Sequence, residues 1–179
     1  MASLTERMIR AAKLEVDLYE EVEADTTAIK QAMAVVVLAS VAAGIGTINV
    51  TGVSGIFLIT VSSLIAWFVW ALLVYIIGAK LMPEPQTSTD MGELLRTIGF
   101  SSAPGVIRVL GIIPGLYSVL SLVAAVWMLV AMIVAVRQAL DYKSTGRAVL
   151  VCLIGWLIQV LFIALTLAIF GNQYSQPVN

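Results

Sequence analysis

The chain contains no histidine and a single cysteine. Without histidine there is no His/Cys zinc site and no mechanism that relies on an imidazole base. Cys152 stands alone in an apolar run, so no disulfide forms within the chain. Charge is also scarce. Charged residues make up 12% of the chain, against roughly 25% in soluble domains. The net charge is -1, and no basic stripe exists to neutralise phosphates, which argues against nucleic acid as a partner. The apolar stretches hold no carboxylate pair, nucleophile–base constellation, phosphate loop or metal-ligand cluster. Neither an enzyme activity nor a cofactor is therefore expected. They also lack the acidic group that a proton-coupled carrier would use. Residues 1–27 alternate charge and apolarity without a continuous hydrophobic core, so they do not read as a signal peptide.

What the chain has in abundance is hydrophobic residues, 60% of 179. One domain of this size cannot hide that much apolar surface from water, whereas a bilayer accepts it. Runs of about 20 apolar residues match a hydrocarbon core near 30 Å. They fall at about Ala28–Thr47, Val53–Leu81, Leu94–Ile113, Leu116–Val136 and Arg147–Phe170. The fold class is thus an all-α membrane protein with about five transmembrane helices. The third run is the weakest, interrupted by Gly99, Pro104, Gly105, Gly111 and Pro114. The first two runs are joined by the uncharged Ile48–Gly52. Pro83 and Pro85 interrupt the second connection, and Pro114-Gly115 forms a tight turn in the third.

Charge placement predicts the orientation. Arg7, Arg10, Lys13, Lys30, Lys80, Arg96, Arg137, Lys143 and Arg147 account for all but one of the ten basic residues. They share one side only if the span count is odd, and the positive-inside rule makes that side cytoplasmic. A multi-pass protein of the cell membrane is expected, with its N-terminus cytoplasmic and its C-terminus external.

Residues 1–27 read as an amphipathic cytoplasmic surface helix, 28–170 as the transmembrane domain and 171–179 as a short external tail. On a helical wheel Leu4, Met8, Ile9, Leu14, Leu18 and Val22 share one half. Glu6–Arg10 and Lys13–Asp17 are i,i+4 pairs. Asp25, Thr26 and Thr27 offer caps for the first span. The polar half is acidic, which disfavours simple attraction to anionic lipid. Docking against the protein's own loops or another subunit fits better.

Two sequence features carry a resemblance. One is the acidic stretch Leu18-Tyr19-Glu20-Glu21-Val22-Glu23-Ala24-Asp25 before the first span. The other is Leu94-Leu95-Arg96-Thr97-Ile98-Gly99-Phe100-Ser101-Ser102-Ala103-Pro104-Gly105, followed later by Val136-Arg137-Gln138-Ala139-Leu140. With this order the chain resembles the prokaryotic branch of the Yip-one domain family over nearly its whole length. The most specific part is Arg-x-x-Gly-Phe-x-x-Ala-Pro. The resemblance implies a five-helix bundle with a cytosolic N-terminus. Eukaryotic members are tied to Rab-type GTPases and membrane trafficking. The N-terminal segment here is short, so GTPase binding is not carried over.

Three residues are candidates for a lipid, substrate or partner contact. Arg108 is the one charge inside a span; it either faces a cavity or snorkels to the headgroups. Gln159 lies mid-span, suited to a bond across helices or to a substrate. Glu15 falls on the apolar half of the N-terminal helix, so it either meets a basic partner such as Lys80, Arg96 or Lys143 or stays solvated at the edge of a slightly rotated helix. The structural breaks Gly99, Pro104, Gly105 and Pro114 produce either a kinked, closely packed helix or a broken one lining a site. Trp67, Trp70, Trp127 and Trp156 are read as packing residues. Two functions follow. One is a non-enzymatic membrane organiser, scaffold or accessory subunit in contact with membrane lipids and with other membrane subunits or further copies of itself. The other is a small oligomeric channel or carrier using the broken third span.

Overall fold

The computed structural model describes residues 2–170. The tail expected over 171–179 lies outside the described residues. Every regular element among them is helical.

The single N-terminal helix is corrected to a helical hairpin. Helix α1 (Leu4–Ala12) begins on Ser3, whose hydroxyl accepts from the Glu6 N–H at 3.2 Å. Leu14 then takes φ 63° and reverses the chain into α2 (Val16–Ala24). Lys13 and Asp17 fall on either side of that turn and do not share a helix. The reversal follows from burial. Folded back, Ala11, Leu18, Tyr19 and Val22 lose all exposure against Ala28, Ala32, Phe100 and Ala135 of the bundle. Burial of this kind stabilises by roughly 1.5–3 kcal/mol per large apolar side chain, more than a left-handed leucine costs. The Trp127 indole N–H donates to the Ala12 carbonyl at 2.8 Å and ties the hairpin to the bundle.

Among the described residues four helices, not five, are long and apolar enough to cross a membrane. Helix α3 (Ile29–Gly46) is led in by a 3-10 turn, Thr26–Ala28, on which Asp25 accepts from the Thr27 N–H at 3.0 Å. Helix α4 (Ile48–Val74) has its break at Gly52, φ 66°, and continues as π turns over Tyr75–Leu81. The connection expected over Ile48–Gly52 is thus helical up to that glycine. Helices α6 (Tyr117–Ala139) and α7 (Thr145–Phe170) complete the set.

The third expected span, Leu94–Ile113, is the correction. It is split into α5 (Met91–Phe100) and a ten-residue 3-10 stretch, Ala103–Ile112. Pro104 removes a backbone donor where an α-helix would need one and opens the 3-10 stretch instead. Ile113–Leu116 closes a turn, with the Leu116 N–H on the Ile113 carbonyl at 3.1 Å and Gly115 at φ 85°. This is a type II turn with proline and glycine in their favoured places.

The broken segment nevertheless runs the length of the bundle, in step with α3. A Cβ added to Gly99 would sit 2.8 Å from Ala32 Cβ, one on Gly105 3.3 Å from Ala39 Cβ, and one on Gly111 3.4 Å from Gly46 Cα. The connections agree with such a traverse. The Tyr142 hydroxyl shares its one proton between the Gly78 and Met82 carbonyls, at 3.0 and 2.9 Å, and the Thr87 hydroxyl donates to the Leu140 carbonyl at 2.8 Å. The exit of α4 and the exit of α6 therefore meet at one end. Residues between them must cross to the other end for α6 to return.

Candidate functional site

Two constellations stand out: a polar latch at the hairpin end, and a cavity inside the bundle. The latch is built on Arg7 and Arg96. Arg7, its side chain 4% exposed, donates to Glu21 at 2.9 Å, to Asp25 at 2.8 Å and to Gln31 at 2.9 Å. One guanidinium so joins α1, α2 and the start of α3, using its rigid fork of donors. Arg10 pairs with Glu15 at 3.1 Å and with Glu21. The partner of Glu15 is therefore Arg10, and not Lys80, Arg96 or Lys143 as expected. The chain reversal at Leu14 makes this pairing possible.

Arg96 explains the head of the family-like motif. Its Nε donates to the Val22 carbonyl at 2.8 Å, and Nη2 bonds the Glu23 carbonyl. These are last-turn carbonyls of α2, which lack partners inside their own helix. Within the same motif Gly99 admits Ala32, Phe100 is fully buried under the hairpin, and Ala103 and Pro104 are buried at the 3-10 entry. The motif is thus a docking surface for the hairpin. Replacing Arg96 with Leu removes two charge-assisted bonds, each worth roughly 1.5–3 kcal/mol when fully desolvated. With α2's end partly wet, we expect a loss of about 2 kcal/mol in a detergent melt; an unchanged melting temperature would contradict this role.

The acids of the latch titrate in opposite senses. Burial, reinforced by Asp141, Glu93 and Glu20, pushes the Glu23 carboxyl up to about 7, against Arg96. Its ordinary value is 4.5. The folded hairpin holds that proton more tightly, so the Glu23 contribution is complete below 4.5 and is lost as pH rises through 7. Asp25 behaves in reverse. Bonds from Thr27 and Arg7 hold it down to about 2, so its contribution is present above its ordinary range and lost on acidification. Arg10 and Arg7 lower Glu21 in the same sense. Protease protection of the hairpin should decline from roughly pH 5 to 8, and Glu23→Gln should flatten that decline. An equal slope in both proteins would refute the assignment to Glu23.

The cavity lies among α3, α4, the broken segment, α6 and α7, with a volume of about 280 Å³. Arg108 and Gln159, far apart in sequence, both line it. Arg108 lies along α3: its Nε donates to the Gly105 carbonyl at 3.1 Å and its Nη2 to the Ala39 carbonyl at 3.2 Å. No carboxylate among the described residues pairs with it. Ser63, Ala66, Trp67 and Trp70 line the wall from α4 at i, i+3, i+4 and i+7 spacing, one helical face. The Trp70 indole N–H is buried without a partner.

Arg108 and Gln159 are site candidates in the sequence, with Ser63 a weaker one and Trp70 a packing residue, but nothing in the sequence brings them together with Ser102 at one cavity. The signal available was the shared face of α4; what it faces could not be read. Arg7 was counted only as a cytoplasmic charge. Its spacing of four from Ala11, on the side that packs inward, was the available hint. Gly105 lies against Arg108, with an added Cβ 2.9 Å from Nη2, and Pro114 holds the turn before α6.

No curated protein and no solved structure matches the chain. A family model described as the Yip1 domain matches residues 18–167, from α2 through most of α7 and including the Arg96–Pro104 motif. That span covers most of the 179 residues, and so the chain belongs to the Yip1 domain family.

Proposed function

We propose that the protein is a non-enzymatic membrane organiser or accessory subunit, working through helix–helix and lipid contacts rather than through chemistry. The observation that carries this reading is the bareness of α4. Only 6% of its apolar window is buried, against 50% for α3. Phe57, Val61, Phe68 and Leu72 are exposed along it at spacings of four and seven, the seam a neighbouring helix or lipid chain would cover. Positive residues meet at the hairpin end, which supports placing that end and the N-terminus in the cytoplasm of a cell-membrane protein, with the C-terminus outside.

Site-directed cross-linking tests the reading. In a Cys152→Ser background, single cysteines at Phe57, Val61 and Phe68 should yield one discrete cross-linked product in native membranes. Lack of any product from all three, with the same sites labelled readily by a lipid-soluble probe, would overturn the partner-facing role.

A carrier is the second reading, favoured by one observation: Arg108 and Gln159 share a cavity. Arg108→Leu leaving flux unaltered in reconstituted vesicles would exclude it.

A further inference from the structure

The cavity combines an unpaired cation with unclaimed donors. A guanidinium carries five N–H donors, and two of Arg108's are engaged by carbonyls. The others have no protein acceptor among the described residues. The Trp70 N–H on the same wall is buried and unpartnered. Gln159, Ser63 and Ser102 line the space without a side-chain bond to any described residue. A half-buried cation on the inner face of an apolar bundle is costly unless a negative group or strong acceptors meet it, and here two carbonyls are all that the described residues supply. The missing component is an oxyanion.

An apolar groove beside the cavity indicates what carries that oxyanion. The groove, about 540 Å³, runs between α4 and α7 along Ile65, Val69, Leu73 and Ile158. Its volume falls in the ~300–1,000 Å³ range of small-molecule clefts. Ala66 and Gln159 line both spaces, so the groove leads from the cation to the lipid-facing flank. Ile65 and Ile158 are exposed on that flank, 61% and 43%.

We propose that the cavity and groove hold one anionic phospholipid, its headgroup phosphate on Arg108 and one acyl chain between α4 and α7. This rests on the reading that the protein acts through lipid contacts. It does not depend on the α4 seam, which the cross-linking tests separately. The arrangement places the headgroup beneath the bilayer surface, where a low dielectric strengthens its pairing with the guanidinium.

Native mass spectrometry of the full chain tests the proposal, with the protein released from nanodiscs of phosphatidylcholine doped with phosphatidic acid. The native protein should retain one phosphatidic acid with about tenfold preference over phosphatidylcholine, the value of one charge-assisted contact. Arg108→Gln should bring that preference to parity, and Arg108→Lys should keep part of it. Ala66→Trp, which blocks the junction of groove and cavity without touching the cation, should abolish retention while its melting temperature in lipid-free detergent stays unchanged. Inorganic phosphate at millimolar concentration should protect the protein from heat far less than the lipid does. The proposal is overturned if Arg108→Gln and Ala66→Trp both retain phosphatidic acid like the native chain. Equal protection by phosphate alone would also overturn it, since the site would then serve a free oxyanion.

Discussion

Arg7→Leu should cost about 3 kcal/mol and release the N-terminal hairpin. The guanidinium is almost fully enclosed, and its removal leaves Glu21 with Arg10 alone, Asp25 with Thr27 alone and the Gln31 amide oxygen without its donor. Breaking a fully buried pair costs roughly 3–5 kcal/mol, and the lower end applies because Glu21 and Asp25 keep 34% and 21% exposure. Limited proteolysis in mild detergent should then cut within residues 1–25, while the native chain resists at the same protease ratio. Arg7→Lys keeps the charge but not the fork, so it should fall between the two. The hairpin shares its apolar core with α3, α5 and α6, so the melting temperature should drop as well. An Arg7→Leu chain as resistant as the native one would show that apolar burial alone holds the hairpin.

Gly46→Val should disrupt the bundle at its far end. A Cβ there would land on the backbone carbonyl of Arg108, with Gly111 Cα only 3.7 Å away. Backbone cannot swing aside as a flexible side chain can, so α3 and the 3-10 stretch must separate. Overpacking of this kind costs roughly 1–3 kcal/mol, and a contact with two backbones belongs at the upper end. Gly44→Val is a companion test, since its Cβ would meet the Ile56 backbone at 2.8 Å. Gly146→Ala is the control. It lies in the first turn of α7 with only the Ser144 hydroxyl oxygen at 3.4 Å, so it should be neutral or stabilising by up to about 1 kcal/mol. Melting curves of the three variants in one detergent decide the matter, and a Gly46→Val chain that melts with the control would refute the close approach.

The candidate site was partly legible. Arg108 and Gln159 drew attention because polar groups are rare and costly inside a span, a local property. Their meeting at one cavity was not legible, because it depends on how α3, the broken segment and α7 rotate about their axes. Glu15 shows the same limit. Its position on an apolar face was readable, but its partner Arg10 is only five residues away and becomes reachable when Leu14 turns left-handed. Nothing about a leucine announces that turn; the enclosure of Leu18, Tyr19 and Val22 imposes it.

By itself the sequence determined an all-helical membrane protein, the ends of α3 and α6 and the start of α7 to within a few residues, and the sharing of one end by the basic connections. Those properties follow from unbroken apolar length and from where charge can stay in water, both local. Tertiary structure decided the rest. It folded residues 4–24 into a docked hairpin, because half an amphipathic helix gains more against Phe100 and Ala135 than against solvent. It turned the third expected span into α5 and a 3-10 stretch threaded along α3, because Pro104 forbids a regular helix while Gly46, Gly99 and Gly111 permit backbones to touch. It also left Arg108 facing a cavity instead of a carboxylate, because every acid of the chain lies in the hairpin, the connections or the first turn of α5, at the opposite end.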